Sequence, residues 1–140
     1  MLVAVRIAGQ VNLLEDTKET LFRLRMRRKY SSVLLHETSE NLKKLQGIRN
    51  QVAYGVINKE TLLSLIKKRG QPIKSGMKID AEKIISQLDK KNLPELGLKP
   101  FFRLHPPKGG IDAKKHFGTS SKAVLGDNKE KINDLLRRML

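Results

Sequence analysis

At 140 residues the chain is long enough to bury one core, alone or with an appendage. Lys and Arg number 29 against 14 Asp and Glu, and a formal charge of +15 disfavours compaction by self-repulsion, so a polyanionic partner is implied. Cysteine is absent, which excludes a disulfide frame and a Cys-based zinc site, and no apolar run reaches the length of a membrane anchor or follows Met1 as a signal peptide would.

Val3, Val5 and Ile7 alternate in "LVAVRIAG", so residues 2–8 read as a strand closed by Gly9. Asp16 and Glu19 have capping-box spacing, Leu21 and Leu24 follow one turn apart, and cations crowd the far end, predicting a helix over 17–28. The stretch "RLRMRRKY" (23–30) also has the two-residue period of a strand, but the cap, the length and the terminal charge favour the helix. On it Arg23 and Arg27 share one exposed flank, and Arg25 and Lys29 the other.

"SSVLLHE" reads as a second strand, "SENLKKLQGI" as a second helix with Leu42 and Leu45 inward, and "QVAYGVI" as a third strand. Gly55 within that strand marks a bulge or a close backbone approach. Residues 1–57 thus form a strand-helix-strand-helix-strand unit, and residues 58–140 an extension. In the extension Asn58 caps and Gly70, as C′ residue, ends a helix carrying Leu62, Leu65 and Ile66. "QPIKSGM" is a turn-rich linker, and a helix with Ile84, Ile85 and Leu88 follows it. "KPFFRLHPPKGGI" is a short strand at most, running into a Pro and Gly loop, and a last helix, boxed by Asp127 and Glu130, carries Ile132, Leu135, Leu136 and Met139.

Enzyme chemistry finds no foothold. His36, His105 and His116 are far apart and lack metal-ligand spacing, neither a nucleophile elbow nor a Walker loop is present, and Glu15 with Asp16 sits where capping explains both. Cations instead gather in four regions: Arg23, Arg25, Arg27, Arg28 and Lys29; Lys67, Lys68 and Arg69; Lys108 through Lys114, Lys115 and His116; and Arg137 with Arg138. One such run is ordinarily a solvated face, but four in a single chain favour nucleic acid. Arginine's planar fork suits phosphate. Aromatic residues are few and the strands lack the signature that stacks single-stranded bases, so folded RNA docked by shape and phosphate is the expected ligand. Gly109 and Gly110 beside Lys108 let backbone approach a phosphate.

The segments "LVAVRIAG", "LFRLR", "SSVLLHET" and "AYGVINKETLLSLIKKRG", with "FRLHPPKGG" and "INDLLRRML", together resemble one family along essentially the whole chain. It is the universal large-subunit ribosomal protein family numbered thirty in bacteria and archaea and seven in eukaryotes. The long extension points to the archaeal form, since bacterial members match only the first part, and the lack of a basic arm before Met1 argues against a eukaryotic one. Tyr54 stands where members commonly carry Trp.

The resemblance implies an α+β fold: a reduced ferredoxin-like β-α-β-α-β core, with a three-stranded antiparallel sheet and two helices on one face, plus a largely helical C-terminal subdomain. It implies a structural constituent of the cytoplasmic large ribosomal subunit that binds and stabilises folded large-subunit ribosomal RNA near the 5S RNA, beside neighbouring ribosomal proteins. No catalytic site, cofactor, membrane or small-molecule substrate is expected. By position it assigns RNA contacts to Arg23, Arg25, Lys67, Lys68, Arg69, Lys108, Gly109 and Gly110. Arg27, Arg28, Lys29, Lys114, Lys115, His116, Arg137 and Arg138 are candidates on charge alone. The alternative is a free RNA-binding or assembly module acting off the ribosome.

Overall fold

The computed structural model describes residues 1–7, 13–74, 76, 78, 80–119 and 122–140, without the side chains of 112 and 113. Ala8 and Gly9 of the expected first strand, and Ser75 and Met77 of the expected linker, lie outside the described residues.

Six strands make one mixed sheet: β1 (Leu2–Arg6), β2 (Ser31–Leu35), β3 (Val52–Val56), β4 (Phe102–Arg103), β5 (Asp112–His116) and β6 (Ala123–Asp127), in the order β4-β2-β1-β3-β6-β5. β1 lies antiparallel to both β2 and β3, and β4 antiparallel to β2. β6 runs parallel to β3, and β5 parallel to β6 with an irregular register. The helices are α1 (Glu15–Arg23), α2 (Ser39–Gly47), α3 (Lys59–Arg69), α4 (Ala81–Gln87) and α5 (Ile132–Met139). The expected three-stranded sheet is therefore corrected to six strands, and the extension is not largely helical, because it contributes half of them.

Strand periodicity divides the core in two. Leu2 and Ala4 of β1 join Val52 and Tyr54 of β3 in packing against Leu21 of α1 and Leu45 of α2. Val3, Val5 and Ile7 face the other way, with Ala53, onto Leu62, Leu65 and Ile66 of α3, Ile84 of α4 and the Ile132, Leu135, Leu136 and Met139 stripe of α5. Both faces of β1 are covered, and its polar Arg6 is buried as well.

Two helix boundaries differ from expectation. α1 spans Glu15–Arg23, not 17–28, and neither Asp16 nor any other described side chain caps it; Leu14 is the N-cap, and Glu19 reaches Arg23 at 2.5 Å instead. Its end is a Schellman motif: Arg25 takes φ 66°, the Met26 amide donates to the Leu21 carbonyl at 2.9 Å, and the Arg25 amide donates to Phe22 at 3.0 Å. Met26 and Leu21 bury together, the apolar contact that accompanies this motif. At the other boundary Asp127 is the last residue of β6, its carboxylate accepts from the Lys129 amide at 2.9 Å, and α5 starts only at Ile132. The expected Asp127–Glu130 box is not formed.

Asn58 caps α3 through a 2.8 Å bond from the Thr61 amide. Gly70 is its C-cap at φ −61°, not a left-handed C′ residue; a Cβ there would meet the Ile66 carbonyl oxygen at 2.5 Å. Gly55 is a close approach and not a bulge: β3 stays in register with β1, and a Cβ at Gly55 would collide with the Lys129 carbonyl and stand 2.9 Å from the Ile132 side chain. Asn133 stitches α5 to both neighbours, accepting from the Asn58 amide at 2.9 Å and donating to the Val56 carbonyl at 3.2 Å.

Candidate nucleic-acid interface

The candidate residues begin where α1 ends. Arg23 is the last residue of the helix and Arg25, Arg27, Arg28 and Lys29 lie on the loop from α1 to β2, all five exposed. Neither a strand nor a helix presents these residues beyond Arg23. The loop is fixed from inside by Arg6, whose Nη1 donates to the Met26 carbonyl at 2.8 Å while its own carbonyl accepts from the Tyr30 amide at 2.7 Å. Burial pulls the Arg6 pKa below its ordinary value, though a guanidinium so placed remains charged. Tyr30, like Arg25, has positive φ, 65°, and its carbonyl accepts from the Leu104 amide at 3.1 Å.

β4 brings a cation that sequence reasoning missed. Arg103 pairs in register with Ser31, the first residue of β2, and so stands beside the arginine loop. Arg25, Arg27, Arg28 and Arg103 line one open hollow of about 210 Å³ with Ser31 and Phe101, and no carboxylate of the described residues lines it. The Arg103 guanidinium carbon lies 5.6 Å from the Phe101 centroid, and that of Arg27 lies 4.2 Å from the centroid of Phe22, outside the hollow. The in-out-in pattern of Phe102, Arg103 and Leu104 lies in the stretch read as a short strand, and nothing local in it set Arg103 beside the arginine loop.

The remaining candidates sit elsewhere. Lys67, Lys68 and Arg69 form the last turn of α3, where the macrodipole favours them, with the first two exposed and Arg69 half-buried. Lys114 and Lys115 are exposed on β5, and His116 ends that strand half-buried, its Nδ1 3.5 Å from where a Cβ on Gly126 would lie. β5 and β4 are opposite edges of a six-stranded sheet, so these cations lie five strand steps from β4, about 24 Å across the sheet at ~4.8 Å per step.

Lys108, Gly109 and Gly110 form a turn against the end of α5. The Lys108 amide donates to the Arg138 carbonyl at 3.0 Å and the Gly110 amide to the Pro107 carbonyl at 3.2 Å. Arg138 clasps the turn in return, its Nε donating to the Lys108 carbonyl at 2.8 Å and its Nη2 to the Gly110 carbonyl. Arg137 is exposed and ion-paired with Glu60 at 3.7 Å and Asp134 at 3.6 Å. A phosphate reaching this turn would meet the Lys108 ammonium, the amides of Lys108 and Gly110 being committed within the protein.

Among the described residues no group of three or more His, Asp or Glu is placed to hold a metal ion, and no helix is long and apolar enough to cross a membrane.

No family model matches the chain. Curated relatives do. The chain is 34% identical to "Large ribosomal subunit protein uL30" of Aeropyrum pernix, with 97% of this chain and 96% of the relative covered. It is 34% identical to the protein of that name from Methanococcus maripaludis, with 97% of each covered, and 36% identical to that of Archaeoglobus fulgidus, with 99% of each covered.

Proposed function

The chain belongs to the uL30 family of large-ribosomal-subunit proteins, and from that premise we propose that it is a structural, non-catalytic constituent of the cytoplasmic large subunit that binds folded large-subunit ribosomal RNA. We place the contact near the 5S RNA, with neighbouring ribosomal proteins as further partners. One observation carries the RNA reading: four arginines from two distant stretches of sequence line one hollow, with no carboxylate of the described residues among its lining. Such a convergence is repulsive by itself and is relieved by an anion of matching geometry.

In this reading Arg23, Arg25, Arg27, Arg28, Lys29 and Arg103 form the main contact. Lys67, Lys68 and Arg69, then Lys108 with Lys114, Lys115 and His116, and Arg137 with Arg138 form outlying ones. Gly109 and Gly110 serve by shaping the turn that carries Lys108. The first 57 residues are read as a reduced ferredoxin-like unit, on which residues 58–140 extend the sheet and cover its second face.

The test is salt dependence. With about six phosphates neutralised, the logarithm of affinity for large-subunit ribosomal RNA should fall against log salt with a slope of roughly −4 to −5. A slope shallower than about −2 would remove phosphate docking as the basis of binding. Cosedimentation with large subunits at moderate salt separates a resident of the subunit from a module acting off it.

A further inference from the structure

We propose that the arginine hollow is a seat for a single unstacked nucleotide of the bound RNA, with its phosphate held by the guanidiniums and its base laid on Phe101. This rests on the RNA-binding reading and deepens it, since phosphate docking alone requires no aromatic surface.

The chemistry of the lining divides in two. Arg25, Arg27, Arg28 and Arg103 supply planar forks that match phosphate oxygens. Phe101 supplies a half-buried ring whose inner side packs with the Leu21 core and whose neighbour is the Arg103 guanidinium. A continuous RNA helix presents phosphates and sugars and keeps its base faces stacked, so it has nothing to offer that ring. A bulged or looped-out nucleotide offers both a phosphate and a free base face. At about 210 Å³ the hollow is below the ~300 Å³ at which pockets for drug-sized ligands begin, which suits one nucleotide with its ribose at the mouth.

Backbone strain at the rim is an independent observation. Arg25 and Tyr30 both adopt left-handed φ, at 66° and 65°, positions where glycine is the low-energy choice. They bracket the cation-bearing loop, and hydrogen bonds to Arg6 and from Leu104 hold it on either side. Strain of this kind persists where surroundings over-determine it, and it concentrates at ligand clamps. An arginine at the C′ position of α1 starts its side chain from a direction that a right-handed residue cannot give. Phe101 and Arg103, meanwhile, are set by the pairing of β4 with β2. The seat is formed before the RNA arrives, which lowers the entropy lost on binding.

The probes are two RNA hairpins with one stem sequence, one fully paired and one carrying a single bulged 2-aminopurine nucleotide, titrated with the full chain. The bulged hairpin should bind about fivefold tighter or more, the range base stacking supplies, and its fluorescence should be quenched on binding. Phe101→Leu should abolish the preference for the bulged over the paired hairpin and the quenching; Phe101→Tyr should retain both. Thermal unfolding by circular dichroism establishes that each variant is folded. Equal binding of the two hairpins by the unaltered protein, or a preference that survives Phe101→Leu, overturns the nucleotide seat and leaves phosphate docking standing. A salt slope shallower than about −2 for the paired hairpin overturns both. Tighter binding of free adenosine monophosphate than of the bulged hairpin would assign the seat to free nucleotides and overturn the RNA assignment.

Discussion

Replacing Arg25 with glycine should raise stability and lower RNA affinity at once. A left-handed L-residue costs about 1–2 kcal/mol, and Arg25 holds φ 66° just past the cap of α1. Glycine removes that strain, but its wider unfolded ensemble takes back about 0.4–1 kcal/mol. Loss of an exposed cation at the helix C-terminus removes about 0.3 kcal/mol more. The balance is a gain of about 0.5 kcal/mol, a rise of about 1–3 °C in Tm for a chain of this size. Arg23→Gly is the control. It lies within the helix and bonds Glu19 at 2.5 Å, so glycine there should cost about 1 kcal/mol in propensity and lower Tm. The two variants lose the same charge two residues apart, and each should flatten the RNA salt slope by about 0.7–0.9. Circular dichroism melts and filter binding read the two effects separately. A lower Tm for Arg25→Gly than for the unaltered chain would refute the left-handed cap.

Gly55→Ala should destabilise by about 3 kcal/mol, because its Cβ would meet a backbone carbonyl and the Ile132 side chain, neither of which yields cheaply; denaturation showing a loss below about 1 kcal/mol would mean that α5 does not press on β3 as described. The Tyr54 hydroxyl pKa is raised above its ordinary 10.0 by burial first and by nearby Asp127 second, with Arg49 pulling the other way. The folded state therefore binds that proton more tightly, so the contribution is complete below pH 10 and is lost as pH rises through the folded pKa. The stability difference between the unaltered chain and Tyr54→Phe should accordingly be flat to about pH 9 and shrink above 10; a change centred near neutrality would contradict it. A fragment of residues 1–57 should fail to fold, since Val3, Val5, Ile7 and Ala53 would lose the helices that cover them, and a cooperative melt of that fragment would show the extension to be dispensable for the core.

Elements with a strong local signal were legible. β1 alternates over hydrophobic residues, α3 has a side-chain cap and a terminal glycine, and α5 has four inward residues at helical spacing, so their positions follow from neighbours in sequence. The end of α1 was not legible, because its left-handed cap is an arginine and nothing local distinguishes Arg25 from a helical cation. β4, with two residues, exists only through its pairing with β2, and β5 reads "DAKKH" because an edge strand has no need of an apolar face. Asp127 looked like a cap until its pairing with Tyr54 drew it into β6. The cations suffer the same limitation. Arg25, Arg27 and Arg28 were visible as a run, but their convergence with Arg103 and Phe101 is a property of the β2–β4 register, which no window of sequence contains.

The turn of Lys108, Gly109 and Gly110 separates charge from backbone shape most cleanly. Both glycines have positive φ, 82° and 75°, and a Cβ on either would meet no side chain closer than 3.8 Å, so alanine there brings strain without collision. At about 1–2 kcal/mol per left-handed residue, replacing both should destabilise by about 2–4 kcal/mol. If the glycines act only by shaping the turn, RNA affinity per folded molecule should be unchanged in that variant at a temperature well below its melt. Lys108→Ala should do the reverse, leaving Tm within about 1 °C and flattening the salt slope by somewhat under one unit. The two amides already bonded to Arg138 and Pro107 favour this division, since the Lys108 amide cannot turn to a phosphate without breaking a bond to α5, nor the Gly110 amide without opening the turn. A several-fold loss of affinity in folded Gly109→Ala, Gly110→Ala protein would show instead that the RNA lies against the bare backbone, with the turn itself as a phosphate cradle.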